Sequence, residues 1–153
     1  MRTLQPILLL EDDTVDAMTV KRALKDLNVA NAVVRLINGE EGVKYLRKNS
    51  NVRPCVIILD LNMPKMNGIE FLKYVKEDPE LRAIPVVVLT TSRADQDKFE
   101  CFNNSVAGYL IKPSDYQDFV RTIQILDLYW SISEMPGCHL DKTDARIEKV
   151  LAS

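Results

Sequence analysis

The stretch Cys55-Val56-Ile57-Ile58-Leu59-Asp60 decides the fold class of this chain. Five apolar residues, three of them β-branched, follow one another without a polar interruption and then meet a carboxylate. Such a run is typical of a strand that is buried on both faces, as in a parallel sheet covered by helices. A strand of this kind requires similar strands beside it and helices above and below it.

Further short apolar runs supply those neighbouring strands. They occupy residues 7–10, 33–37, 86–89 and 108–111. Segments with helical spacing lie between them, such as 15–27, where Val20, Ala23 and Leu24 share one face. Because parallel neighbours need crossover connections, the alternation predicts an α/β fold, a doubly wound five-stranded parallel sheet with five helices.

Length and composition favour one domain that acts on a protein rather than on nucleic acid. The 153 residues carry 20 Lys and Arg against 22 Asp and Glu, with no basic run that could follow a phosphate backbone. No apolar stretch approaches the roughly 18 residues needed to span a bilayer, and no signal peptide is recognisable. Three widely spaced cysteines indicate a reducing compartment. We therefore expect a cytoplasmic protein with neither nucleic acid nor membrane as a direct partner.

Polar residues follow most of the predicted strands at the carboxyl ends, where ligand sites of doubly wound sheets lie. These residues are Glu11-Asp12-Asp13, Asp60-Leu61-Asn62, Thr90-Thr91-Ser92 and Lys112-Pro113. The acids would repel one another unless a cation neutralised them, and Mg²⁺ with oxygen ligands is suited to that task. Alternatively, some of these acids only cap the helices that follow, as Asp13 and Thr14 suggest.

Asp60 stands where a carboxylate could act as a nucleophile toward phosphorus. It closes a buried strand and is therefore held in a fixed place, and a cation beside it would shield an incoming phosphoryl group. Lys112 supplies a point charge and Thr90 a hydroxyl donor for the phosphoryl oxygens. Taken singly, Lys112-Pro113 is an ordinary turn and Thr90 a β-favouring residue. Together and in this order, they indicate a phosphoryl-accepting site.

These motifs resemble the receiver domain of response regulators in bacterial two-component signalling. The matching stretches are 8–13, 58–68, 88–92 and 108–113, and the resemblance extends over residues 6–130. It implies the flavodoxin-like receiver fold, with strand order 2-1-3-4-5, in a domain spanning 1–136 with an extended last helix. Residues 137–153 would form a C-terminal tail, frayed or with a short helix capped by Thr143, and no output domain would follow.

The resemblance implies that Asp60 accepts a phosphoryl group from a sensor histidine kinase. The chain would then be a signalling protein and not an enzyme, and it would act through a partner protein or as a carrier in a phosphorelay. Asp12, Asp60 and the backbone carbonyl of Asn62 would bind Mg²⁺, with Glu11 assisting through water. Asp13 would stand behind these ligands or cap the first helix.

The resemblance also assigns roles at the fourth and fifth strands. Thr90 and Lys112 would hold the phosphoryl oxygens, and Tyr109 would be an aromatic switch that turns inward when Thr90 moves toward the phosphate. The bond between Lys112 and Pro113 would be cis. Thr91 is larger than the residue common at its position in the family, and its bulk would slow access to the phosphoryl group.

Three other readings of the motifs are weaker. A Mg²⁺-dependent phosphohydrolase with Asp60 as nucleophile would typically need a second acid two residues further on, where this chain has Asn62. A flavodoxin-like binder of flavin or nucleotide would need a Gly- or Ser/Thr-rich phosphate loop after the first strand, where this chain has acids. A receiver that serves only as a scaffold would lack an acid, the threonine or the lysine, and none is missing.

The predicted last helix is too apolar for a single buried stripe. Phe119, Ile123, Leu126 and Trp130 fit the face toward the sheet. A second set, which lies partly off that face, predicts a homodimer interface, unless the tail folds back over it; it consists of Ile125, Leu128, Tyr129 and Ile132. The pair Tyr129-Trp130 followed by Pro136 also resembles single-domain regulators associated with phytochromes and related histidine kinases, which implies a kinase of that type as partner.

Overall fold

The computed structural model describes residues 5–132, and their side chains through residue 130. Strands and helices alternate along this range. They are β1 (Ile7–Leu10), α1 (Thr14–Asp26), β2 (Val33–Leu36), α2 (Gly39–Lys48), β3 (Val56–Leu59), α3 (Gly68–Glu77), β4 (Val86–Thr90), α4 (Asp95–Asn103), β5 (Gly108–Ile111) and α5 (Tyr116–Ile132). Among the described residues, no helix is long and apolar enough to cross a membrane.

The strands form one parallel sheet in the order β2-β1-β3-β4-β5. This confirms the fold class and the strand order predicted above. The inner strands β1, β3 and β4 are buried along their whole length, whereas the edge strands β2 and β5 are half-buried. The continuous apolar runs of the sequence therefore correspond to the three central strands.

Helices cover both faces of the sheet. Along β1, Leu8 and Leu10 belong to the core shared with α2 and α3, while Ile7 and Leu9 belong to the core shared with α1 and α5. This follows from the alternation of side chains along a strand. Both cores end at the carboxyl edge of the sheet, where the polar residues begin.

Helix α5 buries the predicted stripe of Phe119, Ile123, Leu126 and Trp130. Ile125 and Tyr129 are exposed and Leu128 is partly exposed, as predicted from their spacing. The side chain of Ile132 lies outside the described residues. So do the predicted boundary at residue 136 and the tail 137–153 with the helix after Thr143.

Candidate phosphoryl-acceptor and metal site

Close backbone packing places Asp60 at the end of β3. The N–H of Gly68 donates to the carbonyl of Leu61 at 3.0 Å, which folds the loop after Asp60 back on itself. A Cβ atom at residue 68 would overlap the carbonyl oxygen of Asp60 and lie 2.6 Å from Cα of Leu61. Only glycine allows this approach. The loop and the start of α3 therefore hold the Asp60 backbone in one position.

Three carboxylates meet at the carboxyl edge of the sheet. Oxygen atoms of Glu11, Asp12 and Asp60 lie within 4.8 Å of one another. Glu11 and Asp60 are buried, whereas Asp12 is exposed and open to solvent. Mg²⁺ favours one or two protein carboxylates completed by water, and this mixture of buried and open oxygen donors fits that preference.

Lys112 brings a positive charge into the acid cluster. Its side chain is only 6% exposed, and Nζ lies 3.3 Å from Oδ2 of Asp60. Nζ also contacts Oε1 of Glu11 and lies 2.8 Å from Oδ2 of Asp16 in helix α1. The backbone N–H of Lys112 donates to the carbonyl of Thr90 at 2.8 Å. The end of β5 thus places the lysine beside Asp60.

Burial and neighbouring charges shift the pKa values of Glu11 and Lys112. Burial raises the pKa of Glu11 to about 8; the hydrogen bond from Lys112 opposes this rise and the charge of Asp60 adds to it. Burial alone would lower the pKa of Lys112, but its bonds to Asp16 and Glu11 outweigh that effect and raise the pKa. The lysine therefore stays charged, while the protonation of Glu11 changes near neutral pH.

We expect the affinity for Mg²⁺ to rise with pH. A carboxylate must be ionised to help bind the cation, and the pKa of Glu11 is raised to about 8 without metal. Raising the pH from about 6 to about 9 should therefore tighten binding and reduce the protons released per Mg²⁺ bound. Calorimetric titrations in buffers of different ionisation enthalpy measure both quantities. An affinity that is constant over this range would contradict the prediction.

Arg35 on β2 fixes the loop that carries two of the acids. Its guanidinium donates from Nε to the carbonyl of Glu11 and from Nη2 to the carbonyl of Asp12, both at 3.0 Å. Nη2 also lies 3.4 Å from the hydroxyl of Thr14. The backbone ahead of α1 is therefore held by a neighbouring strand.

Thr90 and Tyr109 lie on adjacent strands and are linked through Ser92. Thr90 is fully buried, and its Oγ1 accepts a hydrogen bond from the N–H of Ser92 at 3.3 Å. The Tyr109 hydroxyl donates to the carbonyl of Ser92 at 2.9 Å, and the Ser92 hydroxyl bonds Oδ2 of Asp97 in α4 at 2.5 Å. Burial raises the pKa of Tyr109, so its hydroxyl stays protonated as a donor. This network joins the end of β4 to α4 and β5.

The remaining predicted residues surround this centre. Asp13 caps α1, accepting a bond from the N–H of Asp16 at 2.9 Å, so the capping interpretation holds for this acid. Asn62 is exposed, with its backbone nitrogen 3.5 Å from Oδ1 of Asp60, and Thr91 is exposed.

The bond between Lys112 and Pro113 is trans, so the cis expectation is wrong for this structure. Trans is the favoured isomer of most bonds to proline, and the lysine is directed here by its backbone and acidic partners.

Sequence reasoning missed Asp16 and Arg35. Asp16 precedes the buried Ala17 and lies one turn before the buried Val20. Its position beside the buried face of α1 could therefore have been predicted from the helical spacing. Its partner Lys112 is 96 residues away, and only the fold brings the two together. Arg35 interrupts an otherwise apolar strand, and a charged residue at such a position could have indicated a specific contact.

Comparison with known proteins agrees with this arrangement. Residues 7–124 match the family described as the response regulator receiver domain. The probable methanogenesis regulatory protein FilR2 of Methanothrix harundinacea is 40% identical over 127 residues, covering 81% of this chain and 82% of that protein. Response regulator Rcp1 of Synechocystis sp. is 34% identical over 128 residues, covering 81% of this chain and 87% of that protein.

Solved structures show the same fold. The Mn²⁺-bound form of Rcp1 superposes with a TM-score of 0.82 at 33% identity, over 87% of this chain and 99% of that one. The phosphorylated cyanobacterial phytochrome response regulator RcpA superposes with a TM-score of 0.83 at 34% identity, over 88% of this chain and 100% of that one. The family match spans most of the chain and includes every strand of the sheet. This chain therefore belongs to the response regulator receiver domain family, whose members are signalling proteins of two-component systems.

Proposed function

We propose that Asp60 accepts a phosphoryl group from a sensor histidine kinase and that the chain signals through this modification. One observation carries the proposal: the Asp60 carboxylate ends a central strand beside both an acid cluster suited to Mg²⁺ and the ammonium of Lys112, 3.3 Å away. A nucleophile, a cation site and a fixed positive charge are the groups that phosphoryl transfer to a carboxylate requires.

The transfer is an in-line displacement at phosphorus. An oxygen of the ionised Asp60 carboxylate donates its electron pair to form the new P–O bond. The P–N bond to the donor imidazole breaks, and the imidazole nitrogen keeps that electron pair. Lys112 neutralises charge on the transferring oxygens from its fixed position, and Thr90 stands at the end of the adjacent strand with a hydroxyl to offer.

Receiver domains bind Mg²⁺ at an acidic pocket, and in this chain the proposed ligands are Asp12, Asp60 and the carbonyl of Asn62, with Glu11 acting through water. When bound, the cation shields the negative charges of the carboxylate and of the incoming phosphoryl group. Rcp1 has been crystallised in a Mn²⁺-bound form, which supports a divalent site in this chain.

A conformational response would follow from the network around Ser92. When Thr90 moves toward a phosphoryl oxygen, its hydroxyl must give up or lengthen the bond from the Ser92 N–H. Ser92 is bonded in turn to Asp97 of α4 and to the Tyr109 hydroxyl, so that movement reaches both elements. Tyr109 also faces the ring of Phe102 at 6.5 Å. The α4 and β5 side of the molecule is therefore the proposed signalling face.

We also propose which class of histidine kinase donates the phosphoryl group. The likeness to RcpA, a cyanobacterial phytochrome response regulator, favours a histidine kinase of the phytochrome type as donor. FilR2, a probable methanogenesis regulatory protein, is more similar in sequence at 40% identity, so the stimulus is a separate question from the chemistry at Asp60.

The test of the proposed function is the intact mass of the full chain after incubation with a small phosphoryl donor. Acetyl phosphate offers a P–O bond, and phosphoramidate offers a P–N bond like that of phosphohistidine. We expect a gain of one phosphoryl group in Mg²⁺ and none when the metal is chelated. A chain that gains nothing from either donor in Mg²⁺ would contradict the proposal.

We also propose that the chain forms a homodimer through α5. Ile125 is 61% exposed and Tyr129 is 55% exposed, although both are large and apolar. They border an apolar groove of about 430 Å³ between α5 and the edge strand β5, lined also by Gly108 and Leu110. A second copy related by a two-fold axis would bury this surface against itself.

The double variant Ile125→Glu with Tyr129→Glu should shift a dimer to monomer. Two charges would have to be desolvated in the interface, whereas each is readily solvated on the free helix. Light scattering coupled to gel filtration measures the mass in solution, with and without acetyl phosphate. Met18→Glu is the matched control, since Met18 is 64% exposed on α1, outside this surface. An unchanged dimer mass in the double variant would rule out this interface.

A further inference from the structure

The ammonium of Lys112 already has a full set of acceptors. A lysine has three N–H donors, and three carboxylates surround this one. Nζ contacts Glu11, lies 2.8 Å from Oδ2 of Asp16 and 3.3 Å from Oδ2 of Asp60. The contact to Asp16 is therefore closer than the contact to Asp60. A phosphoryl oxygen that needs this lysine must compete with a bond that already exists.

Asp16 differs from the other two acids in its relation to the metal. It is not among the acids whose oxygens cluster within 4.8 Å, which are Glu11, Asp12 and Asp60. A cation bound by that cluster would compete with Lys112 for the carboxylates of Glu11 and Asp60. It would not compete for the carboxylate of Asp16. Asp16 is thus the acid that stays paired with Lys112 when the metal site is occupied.

The position of Asp16 is well defined. Its N–H is bound by the Asp13 cap at 2.9 Å, so the first turn of α1 fixes its backbone. A negatively charged side chain in the first turn of a helix also interacts favourably with the helix dipole. Its side chain is 30% exposed, whereas that of Lys112 is 6% exposed. The pair therefore has one partner at the surface and one inside the pocket.

We propose that Asp16 is a positioning residue that holds Lys112 on the α1 side of the pocket and so slows phosphoryl transfer to Asp60. This inference rests on the proposed function, because it concerns how readily the lysine reaches the transferring group. Asp16→Asn keeps the shape of the side chain but removes its charge, which frees the ammonium to neutralise the phosphoryl oxygens.

The test is the initial rate of phosphoryl uptake from acetyl phosphate by the full chain at saturating Mg²⁺, followed by intact mass. Asp16→Asn should raise this rate about two- to fivefold, the range expected for a partly exposed ion pair. Asp16→Glu should stay nearer to the wild-type rate because it keeps the charge. Glu40→Gln is the matched control, an exposed acid in the first turn of α2, and should leave the rate unchanged.

Two further readouts separate an effect through Lys112 from general repulsion of the anionic donor. Raising the salt from about 0.05 M to about 0.5 M should screen long-range repulsion but leave the ratio of Asp16→Asn to wild type nearly intact. In metal-free protein, Asp16→Asn should also shift the nitrogen NMR resonance of the Lys112 ammonium, and Glu40→Gln should not. An Asp16→Asn rate equal to or below wild type, or a ratio that falls to one in high salt, overturns the proposal. Failure of the wild type itself to take up a phosphoryl group would instead overturn the proposed function and remove the basis of this inference.

Discussion

Asp60→Asn is expected to abolish phosphoryl uptake from acetyl phosphate in Mg²⁺ while leaving the fold intact. The amide lacks the anionic oxygen that attacks phosphorus, so transfer should fall to the background level of the mass measurement. The two side chains have nearly the same shape, and residue 60 is only 5% exposed, so the packing at the end of β3 should survive. Circular dichroism and thermal unfolding check the fold.

The thermal stability of Asp60→Asn adds a second expectation. The charge of Asp60 is one cause of the raised pKa of Glu11, and its removal relieves repulsion between two buried acids. Metal-free Asp60→Asn should therefore unfold at the same temperature as wild type or higher. Asp26→Asn, which removes an exposed carboxylate at the far end of α1, is the control and should take up phosphoryl groups normally. Full uptake by Asp60→Asn would mean that another residue is the acceptor.

Lys112→Met should impair both transfer and the stability of the metal-free protein. Loss of a fixed donor at the reacting group costs about 100-fold or more in rate, so uptake should slow by that order. The variant also leaves Glu11 and Asp60 as buried acids without their cation, and breaking such a pair costs about 3 kcal/mol in the free energy of unfolding. Mg²⁺ should restore part of that stability because it supplies a new positive charge.

Urea unfolding with and without Mg²⁺ measures the stability, and intact mass measures the uptake. Lys73→Met is the matched control, because Lys73 is 50% exposed and pairs with Glu100 at 3.6 Å on the surface. A surface pair of this kind contributes about 1 kcal/mol or less, and the variant should take up phosphoryl groups at the wild-type rate. If Lys112→Met matched Lys73→Met in both measurements, the lysine would have no part in the site.

The sheet could be predicted because its signals are local. The run before Asp60 is apolar at every position, and it corresponds to a strand that is buried along its whole length. The same holds for β1 and β4. Polar residues directly after these strands then had to meet at one edge, since all the strands are parallel. The meeting of the acids at this edge follows from that rule, whereas the order of the strands was implied by the family resemblance.

The contacts of Asp16 and Arg35 depended on information that is not local. Asp16 meets Lys112 because α1 begins and β5 ends at the same edge of the sheet, and no residue within the helix itself indicates the lysine as a partner. Besides the hydroxyl of Thr14, Arg35 reaches two backbone carbonyl groups, and carbonyl groups carry no sequence signature. Such contacts are decided by the packing of elements that are distant in the chain.

The central claim is that Asp60 carries the phosphoryl group, and the most direct measurement is to locate the modified residue. An acyl phosphate, unlike a free carboxylate, is reduced by borohydride to an alcohol, which converts a phosphorylated aspartate to homoserine. The full chain is incubated with phosphoramidate and Mg²⁺, reduced, digested and analysed by peptide mass. We expect homoserine at residue 60 alone, and only when Mg²⁺ is present. Homoserine at Asp12 or Asp13, or an unmodified Asp60 in a chain that has gained phosphoryl mass, would contradict the account.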